Sequence, residues 1–402
     1  MNPSNTNGKT ENAKRHVFII GTKGIPAAYG GFETFVDKLT EYRASEEVCY
    51  HVACKGEKSG TFRYHGAECF VIPVHSNKPY SAVYYDIAAL RSVLAYLRRH
   101  REIQNPVVYI LACRIGPFIA RYAKQIRALG GVLFVNPDGH EWKRAKWSAP
   151  VRCYWKISER LMVKHADLLV CDSKNIEAYI RKDYKKFQPK TRYIAYGSET
   201  SVSTLQDSDP LFTEWLAENE TSAGDYYLVV ARFVPENNFE TIVREFMRSG
   251  SRRKLVIVTT PNDRLYEQME GRLHFEKDDR ICFARPEYNQ ELLKKIREHA
   301  FAYLHGHSVG GTNPSLLEAL GLTELNLLYD VGFNKEVAGE TALYWGLEED
   351  SLAQLIDAAE QMSAEEIHRL GESAKERVRK MFDWRKISDD YEEIFMQPEK
   401  FI

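Results

Sequence analysis

Residues 15–42 read RHVFIIGTKGIPAAYGGFETFVDKLTEY, and this stretch is the most informative about the fold class. An apolar run of strand length, Val17–Ile20, is followed by a turn with four glycines and then by apolar residues at helical spacing. A strand, a glycine-rich turn and a helix make up the first half of a βαβ unit. The stretch therefore predicts a parallel sheet covered by helices.

The same alternation continues along the chain. VCYHVACK, AECFVIPV, VVYILAC, GVLFVNPDG and DLLVCDS read as further strands, with helix-period segments between most of them. YYLVVARF opens a second series after a polar connector. A chain of 402 residues is too long for one comfortable core. We predict an α/β protein with two Rossmann-like, doubly wound parallel-sheet domains that face a central cleft.

The polar stretches of the chain set the expected boundaries. We expect a flexible tail at 1–14, an N-terminal domain at 15–197, a linker at 198–224, a C-terminal domain at 225–384, and a helix at 385–402 that returns to the N-terminal domain. The tail lacks the apolar core of a signal peptide. No apolar run reaches the roughly 18 residues that cross a bilayer, so we expect a soluble or peripheral protein.

Charge divides the chain into two unlike halves. Residues 1–197 carry a net charge of +15 and the remainder −16, although the whole chain has −1. A basic half favours an anionic partner such as nucleic acid, an anionic membrane or a phosphorylated lipid, or else attraction between the two domains. The seven cysteines include no Cys-x-x-Cys pair, which favours a reduced, cytoplasmic compartment and no zinc site.

Two candidate site segments lie in the basic half. Gly30 and Gly31 end the first glycine-rich turn, where backbone and helix start can approach an anion. NPDGHEW follows the strand GVLFV, which places Asp138 and His140 at the carboxyl edge of a parallel sheet. Ligands bind at that edge in open α/β sheets.

Two further segments lie in the acidic half. ARFVPENN offers Arg232 to a diphosphate, with Asn237 and Asn238 at the start of the next helix. HGHSVGGTNPSLLEALG places a Gly-Gly turn before a helix, which suits a diphosphate, and Glu318 one turn in can accept ribose hydrogen bonds. The donor-binding residues expected in this second motif are Gly311, Thr312, Asn313, Pro314, Ser315 and Glu318.

These motifs carry a family resemblance over nearly the whole chain. The sequence resembles GT-B glycosyltransferases of family 4, and GTKGIPAAYGGFETFV, ILACRIGPFI, NPDGHEWKRAKWS, RFVPENN and GGTNPSLLEAL resemble bacterial β-1,4-rhamnosyltransferases of capsule and cell-surface polysaccharide synthesis. The resemblance implies transfer of rhamnose from dTDP-β-L-rhamnose to a glucose on undecaprenyl diphosphate, with retention. The basic and aromatic residues of the first half lead us to expect a cytoplasmic protein that is peripheral at the inner face of the cell membrane.

The sequence departs from the wider family in two places. The family's Glu-x7-Glu pattern keeps only Glu318, since Gly310 stands at the first position, and Asn237 replaces a lysine that commonly accompanies the arginine at Arg232. A UDP-sugar transferase or a UDP-sugar 2-epimerase therefore stays an alternative. No Asp-x-Asp follows a strand, so we expect no metal and no cofactor.

The expected chemistry relies on charge stabilisation. We expect Arg232 and the helix start at Asn313 to stabilise the leaving dTDP, and a front-face mechanism in which the leaving phosphate is the base. Asp138 and His140 complete the predicted catalytic set with Glu33; Glu33 and Asp138 are the candidates for a covalent nucleophile.

The expected partners follow from the same residues. They are a nucleotide-sugar donor, a lipid-linked saccharide acceptor and an anionic membrane surface, which the basic and aromatic stretch 141–166 would contact. Nucleic acid is disfavoured because the basic residues form no recognition module. A non-catalytic protein that binds nucleotide sugars or nucleic acid is the alternative from another class.

Overall fold

The computed structural model describes residues 14–27, 30–74, 80–144, 147–260 and 262–402. The N-terminal strands are β1 (Arg15–Ile20), β2 (Val48–Gly56), β3 (Gly60–Tyr64), β4 (Ala67–Pro73), β5 (Val107–Leu111), β6 (Val132–Asn136), β7 (Leu168–Cys171) and β8 (Thr191–Tyr193). They form one sheet in the order β3-β4-β2-β1-β5-β6-β7-β8. Only the edge strand β3 runs antiparallel to its neighbour among the pairs described.

Helices cover both faces of this sheet. They are α1 (Gly31–Glu41), α2 (Tyr80–Arg99), α3 (Gly116–Ala128), α4 (Ala149–His165) and α5 (Lys174–Asp183). Because side chains alternate along a strand, Val17 and Ile19 face the core under α1, whereas Phe18 and Ile20 face the core under α2 and α3. This is the doubly wound arrangement.

The C-terminal domain repeats the plan with six parallel strands. The strands are β9 (Tyr226–Val230), β10 (Lys254–Val258), β11 (Ile281–Ala284), β12 (Ala302–His305), β13 (Asn326–Tyr329) and β14 (Leu343–Trp345), in the order β11-β10-β9-β12-β13-β14. The helices are α6 (Pro210–Glu218), α7 (Phe239–Arg248), α8 (Asp263–Leu273), α9 (Gln290–Glu298), α10 (Pro314–Leu322), α11 (Gly332–Ala338), α12 (Ser351–Glu360), α13 (Ala364–Met381) and α14 (Trp384–Met396).

The chain crosses between the domains twice, at adjacent points. It leaves the N-terminal domain at Ser198, whose amide donates to the carbonyl of Phe382 at 2.7 Å. It returns immediately afterwards, because α14 packs against α1, β1 and β2. The rings of Phe35 and Tyr391 lie 5.0 Å apart there. The last helix therefore completes the core of the first domain.

The predicted fold class, two doubly wound parallel-sheet domains, is confirmed. The antiparallel strand β3 was not predicted, because its residues GTFRY are mostly exposed and show no clear apolar alternation. The first 13 residues of the expected tail lie outside the described residues. No helix among the described residues is long and apolar enough to span a membrane.

Candidate active site

The glycine-rich turn between β1 and α1 is held together from within. Gly30 has a φ of 127°, and a Cβ there would lie 2.0 Å from an oxygen of Glu33, so only glycine fits. The Glu33 carboxylate is buried and accepts a hydrogen bond from the Lys23 amide at 2.8 Å. A Cβ on Gly31 would meet nothing within 4 Å. The start of α1 is therefore open to a ligand, while Glu33 shapes the loop.

The loop after β6 brings the N-terminal domain against the C-terminal domain. Asp138 has a positive φ of 58°, and its amide donates to the side chain of Asn136 at 2.8 Å. Gly139 then touches the opposite domain, where an added Cβ would lie 2.5 Å from Cα of Gly310. Strained backbone of this kind is concentrated at functional sites. Asp138 is thus held next to Gly139, which lies against the opposite domain.

His140, the third residue of this loop, packs within the N-terminal domain. Its ring lies 4.1 Å from the ring of Tyr179, measured between centroids. Burial, followed by the charges of Lys143 and Lys156, lowers the pKa of His140 to about 4. The imidazole is therefore neutral at physiological pH and rests on an aromatic ring. The described contacts do not bring it together with Arg232.

Asp172, which the sequence analysis did not select, lies in the closed part of the cleft. It follows β7 and is 5% exposed. Its Oδ1 has no hydrogen-bond partner among the described residues, and a Cβ on Gly311 would lie 2.4 Å from that oxygen. Burial, and then the charge of Asp138, raise the pKa of Asp172 to about 7. This carboxyl faces the glycine turn of the opposite domain.

The loop after β9 presents Arg232 and braces it. Arg232 is exposed, and its guanidinium makes no ion pair with any described residue. The buried Asn237 donates from Nδ2 to the carbonyl of Arg232 at 2.7 Å, and Asn238 donates to the carbonyl of Gly306 at 2.8 Å. Contact of both asparagines with the donor stays a prediction. In the structure their amides hold the Arg232 loop against the next loop of the site.

His307, a residue with no predicted role, links that loop to the glycine turn. Asn237 must turn Oδ1 toward His307, because its Nδ2 donates elsewhere, and Nδ1 of His307 lies 2.8 Å from this oxygen. Burial, with Arg144 and Arg232 nearby, lowers the pKa of His307 to about 3. A neutral ring with its proton on Nδ1 leaves Nε2 as an acceptor next to Gly310.

The start of α10 is capped from its own residues. Asn313 accepts a hydrogen bond from the amide of Ser315 at 2.9 Å, and Pro314 occupies the first turn. The hydroxyl of Ser315 donates inward to the carbonyl of Val230 at 3.0 Å. The backbone of this turn, rather than the Ser315 side chain, is therefore what α10 presents to the cleft.

Glu318 on α10 is oriented by a buried arginine. Arg297 is 2% exposed, and its guanidinium lies 2.7 Å from Oε2 of Glu318. The other carboxylate oxygen makes no hydrogen bond to a described residue, and the Glu318 side chain is 35% exposed. One oxygen of Glu318 is thus fixed by the protein and the other is free to accept from a ligand.

Two hydrogen-bond groups fasten the domains beside the cleft. The hydroxyl of Thr312 donates to the carbonyl of Asp172 at 2.5 Å. The Glu336 carboxylate of α11 accepts hydrogen bonds from Ser173 Oγ at 2.8 Å, from the Lys174 amide at 2.7 Å and from the Asn175 amide at 3.1 Å. A carboxylate of one domain therefore caps helix α5 of the other.

The structure brings part of the predicted site to one place. Asp138 with its glycine, the turn Gly310–Thr312, and Arg232 with its asparagines meet where the domains touch. His140 and Glu33 are turned toward their own domain. Asp172 could have been found from the sequence, because it is the first polar residue after a strand at the same sheet edge as Asp138. No group of three potential metal ligands occurs among the described residues.

Comparison with known proteins identifies the architecture. Residues 14–199 match a sequence family described as a domain of unknown function, DUF1972, whereas no curated protein matches the chain. A sucrose-phosphate synthase from Thermosynechococcus elongatus superposes with a TM-score of 0.75 at 18% identity, over 96% of this chain and 100% of that chain. The HepE protein of Anabaena in complex with UDP-glucose gives 0.67 at 12%, over 95% and 99%.

A third structure agrees with these two. The UDP-forming α,α-trehalose-phosphate synthase of Burkholderia xenovorans, in complex with glucose-6-phosphate, superposes with a TM-score of 0.70 at 13% identity, over 95% of this chain and 100% of that chain. The chain has the GT-B fold. Identities this low concern the GT-B fold alone, so the resemblance to rhamnosyltransferases stays a prediction.

Proposed function

We propose that this GT-B chain is a retaining glycosyltransferase that uses a nucleoside diphosphate sugar. The observation that carries the proposal is that unpaired Arg232, the backbone turn before α10 and the half-free Glu318 all belong to the face of the C-terminal domain that meets the other domain. A cation and a helix start suit a diphosphate, and a carboxylate one turn on suits ribose hydroxyls. The structural neighbour from Anabaena is a complex with UDP-glucose, and the one from Burkholderia is a UDP-forming synthase.

The reaction needs no covalent intermediate. The acceptor hydroxyl oxygen bonds to C1 of the sugar while the bond from C1 to the β-phosphate oxygen breaks, and the hydroxyl proton passes to the departing phosphate. Negative charge therefore grows on the diphosphate, where Arg232 and the amides before α10 stabilise it. Asp138 and Asp172 are the carboxyl groups on the opposite wall of the cleft, where the acceptor and the sugar would lie.

The finer assignment rests on the sequence resemblance. The donor is dTDP-β-L-rhamnose, the acceptor is a glucose carried by undecaprenyl diphosphate, and the product carries a β-1,4 linkage. The test is to incubate the purified protein with this glucolipid and with dTDP-rhamnose, UDP-glucose or GDP-mannose, and to measure the mass of the product. A deoxyhexose increment with dTDP-rhamnose alone supports the assignment, whereas a hexose increment with UDP-glucose favours the alternative donor.

Docking on an anionic membrane completes the proposal. In α2, α3 and α4, all of whose residues are described, the only carboxylates, Asp86 and Glu159, are buried. We call the outer surface of these three helices the basic face. Its exposed cations are Arg91, Arg98, Arg99, Arg121, Lys124, Arg127, Arg152, Arg160 and Lys164. Its exposed large apolar side chains are Tyr80, Tyr84, Phe118 and Ile157. Cations with apolar tips suit an anionic leaflet.

A further inference from the structure

An apolar groove of about 1270 Å³ runs along one edge of the N-terminal domain. It lies between α2 and the hairpin of β3 and β4. At one end it is lined by Gly60, Val74 and Tyr80, which mark the carboxyl edge of the parallel strands. At the other end it reaches Arg63 and Arg99. Since β4 has seven residues, the groove is about 20 Å long.

The helical wall of the groove follows one stripe of α2. Tyr80, Tyr84, Ala88 and Ser92 are spaced by four residues and all line the groove, as does Tyr96 beyond them. Small side chains at the centre of this stripe leave the space that the tyrosines border. The floor is made by Phe18, Phe70, Ile72 and Val93, and the opposite wall by Phe62 of β3.

The lining selects against a polar occupant. Charged side chains, Arg63, Glu68 and Arg99, occur only at the end remote from the cleft edge. His51 also lies there, and burial lowers its pKa to about 4, so it is neutral. Between the ends, the polar side-chain groups of the described lining include the hydroxyls of Thr61, Ser92 and Tyr84, and no charged group. A ligand rich in polar groups would lose hydration and find few partners there, whereas a hydrocarbon chain would lose little.

The two ends of the groove indicate which hydrocarbon would enter it. One end opens at the same edge of the sheet as the glycine-rich turn after β1 and Asp138 after β6. The wall formed by α2 also belongs to the basic face, so the groove borders the surface that is proposed to face the membrane. Exposed large apolar side chains at the rim, with Tyr80 at 62%, Tyr84 at 58% and Phe62 at 39%, are the kind of surface that marks a binding site.

We propose that this groove, the α2 groove, binds the polyprenyl chain of the lipid-linked acceptor and so holds the diphosphate sugar at the cleft. The inference rests on the proposed function, because it takes the acceptor to be a lipid-linked sugar. The chain would lie against the central stripe of α2, with the glycosyl diphosphate end toward Tyr80. The groove would then select acceptors by chain length, independently of the donor.

The test compares acceptors of different chain length in Ser92→Trp, which fills the groove from an exposed position. Ala82→Trp adds the same ring to an exposed residue of α2 outside the groove and is the control. We expect Ser92→Trp to lower kcat/KM for a C55 prenyl glucose diphosphate by about tenfold or more. This is the fold-change expected when about two methylene groups of the chain lose their contact with the groove. Turnover of a pentyl glucose diphosphate should be unchanged, and Ala82→Trp should resemble the wild type.

A binding measurement separates this inference from the proposed function. Calorimetry with geranylgeranyl diphosphate should show binding to the wild type and to Ala82→Trp, and none to Ser92→Trp. If no acceptor is glycosylated but this pattern of binding holds, the proposed function fails and the groove assignment stands. If the wild type glycosylates both acceptors with equal kcat/KM and Ser92→Trp changes neither value, the groove assignment is wrong and the proposed function stands.

Discussion

Arg232 is the cation that the cleft leaves without a protein partner among the described residues. Arg232→Ala should lower kcat about a hundredfold and donor affinity much less, because the charge on the diphosphate grows as the glycosidic bond breaks. The measurement is steady-state kinetics beside calorimetry with dTDP. Arg252→Ala removes an exposed arginine that precedes β10, at the amino-terminal end of the strands and so opposite to the cleft. This control should leave kcat and donor affinity unchanged. Equal losses of kcat and affinity would assign Arg232 to ground-state binding only.

Asp172 should make stability depend on pH in an unusual direction. The unfolded chain releases this proton near pH 3.8, whereas the folded chain holds it to about pH 7, so stability falls as the pH rises between these values. Asp172→Asn removes this loss. The Tm of the variant relative to wild type should rise from pH 4 to 7 and level off above pH 7. The corresponding gain in the free energy of unfolding has an upper bound of about 4 kcal/mol. Asp183→Asn, a change at an exposed aspartate, is the control. If the curves of Tm against pH for Asp172→Asn and wild type run parallel, Asp172 does not hold a proton in the folded protein.

The sequence could place single residues of the site better than their pairings. Asp138, Arg232 and Glu318 follow strand ends or begin helices, so local patterns select them. Contacts between Gly139 and Gly310, or between Asp172 and Gly311, depend on how two separately folded sheets approach each other. No local pattern encodes that approach. The roles of Asn237 and His307 were missed for the same reason, because each braces a loop distant in sequence.

At the scale of elements, Glu336 joins two helices across the cleft. Glu336→Ala should expose the start of α5 and speed hydrogen exchange of the Lys174 and Asn175 amides about fivefold, which corresponds to a lost cap of about 1 kcal/mol. Mass spectrometry of peptides from α5 measures this rate. Glu340→Ala changes an exposed glutamate after α11 and should leave the exchange rate as it is. Unchanged protection in Glu336→Ala would mean that the cap does not hold α5.

The regular elements were the easiest to predict. Strands such as β5 and β6 are short, apolar and buried, and helices such as α7 show a strong apolar stripe, so period alone separates them. The exposed edge strand β3 lacks both signals. Its existence depends on pairing with β4, which is a tertiary contact. Since β3 also forms one wall of the α2 groove, the groove could not be predicted from the sequence.

At the scale of the molecule, the basic face refines the expected membrane contact. Within stretch 141–166, Arg144 pairs with Glu141, Trp147 donates to Glu141, and Lys146 lies outside the described residues. The exposed cations of α4, which belongs to this stretch, continue onto α2 and α3. Changing Arg98, Lys124, Arg152 and Arg160 together to Gln should reduce sedimentation with anionic liposomes at low salt by tenfold or more, at about 1 kcal/mol per charge.

A variant with the same change in net charge elsewhere is the control for that experiment. Arg252, Arg264, Lys277 and Lys380, all exposed in the second half of the chain, should tolerate change to Gln without loss of liposome binding. Equal losses in the two variants would point to net charge rather than to the basic face. A wild type that does not sediment with anionic vesicles at low ionic strength would contradict membrane docking altogether.

Because α14 returns to the first domain, the segment that matches the sequence family is not a complete folding unit. The family match ends at residue 199, yet Tyr391 and Phe395 are fully buried in the core of that half. A gene fragment cut at the family boundary would expose the apolar strip that these rings cover, and it should aggregate. Supplying residues 384–402 as a separate peptide should restore solubility. Any fusion or shuffling of this half with another partner must therefore bring its own closing helix.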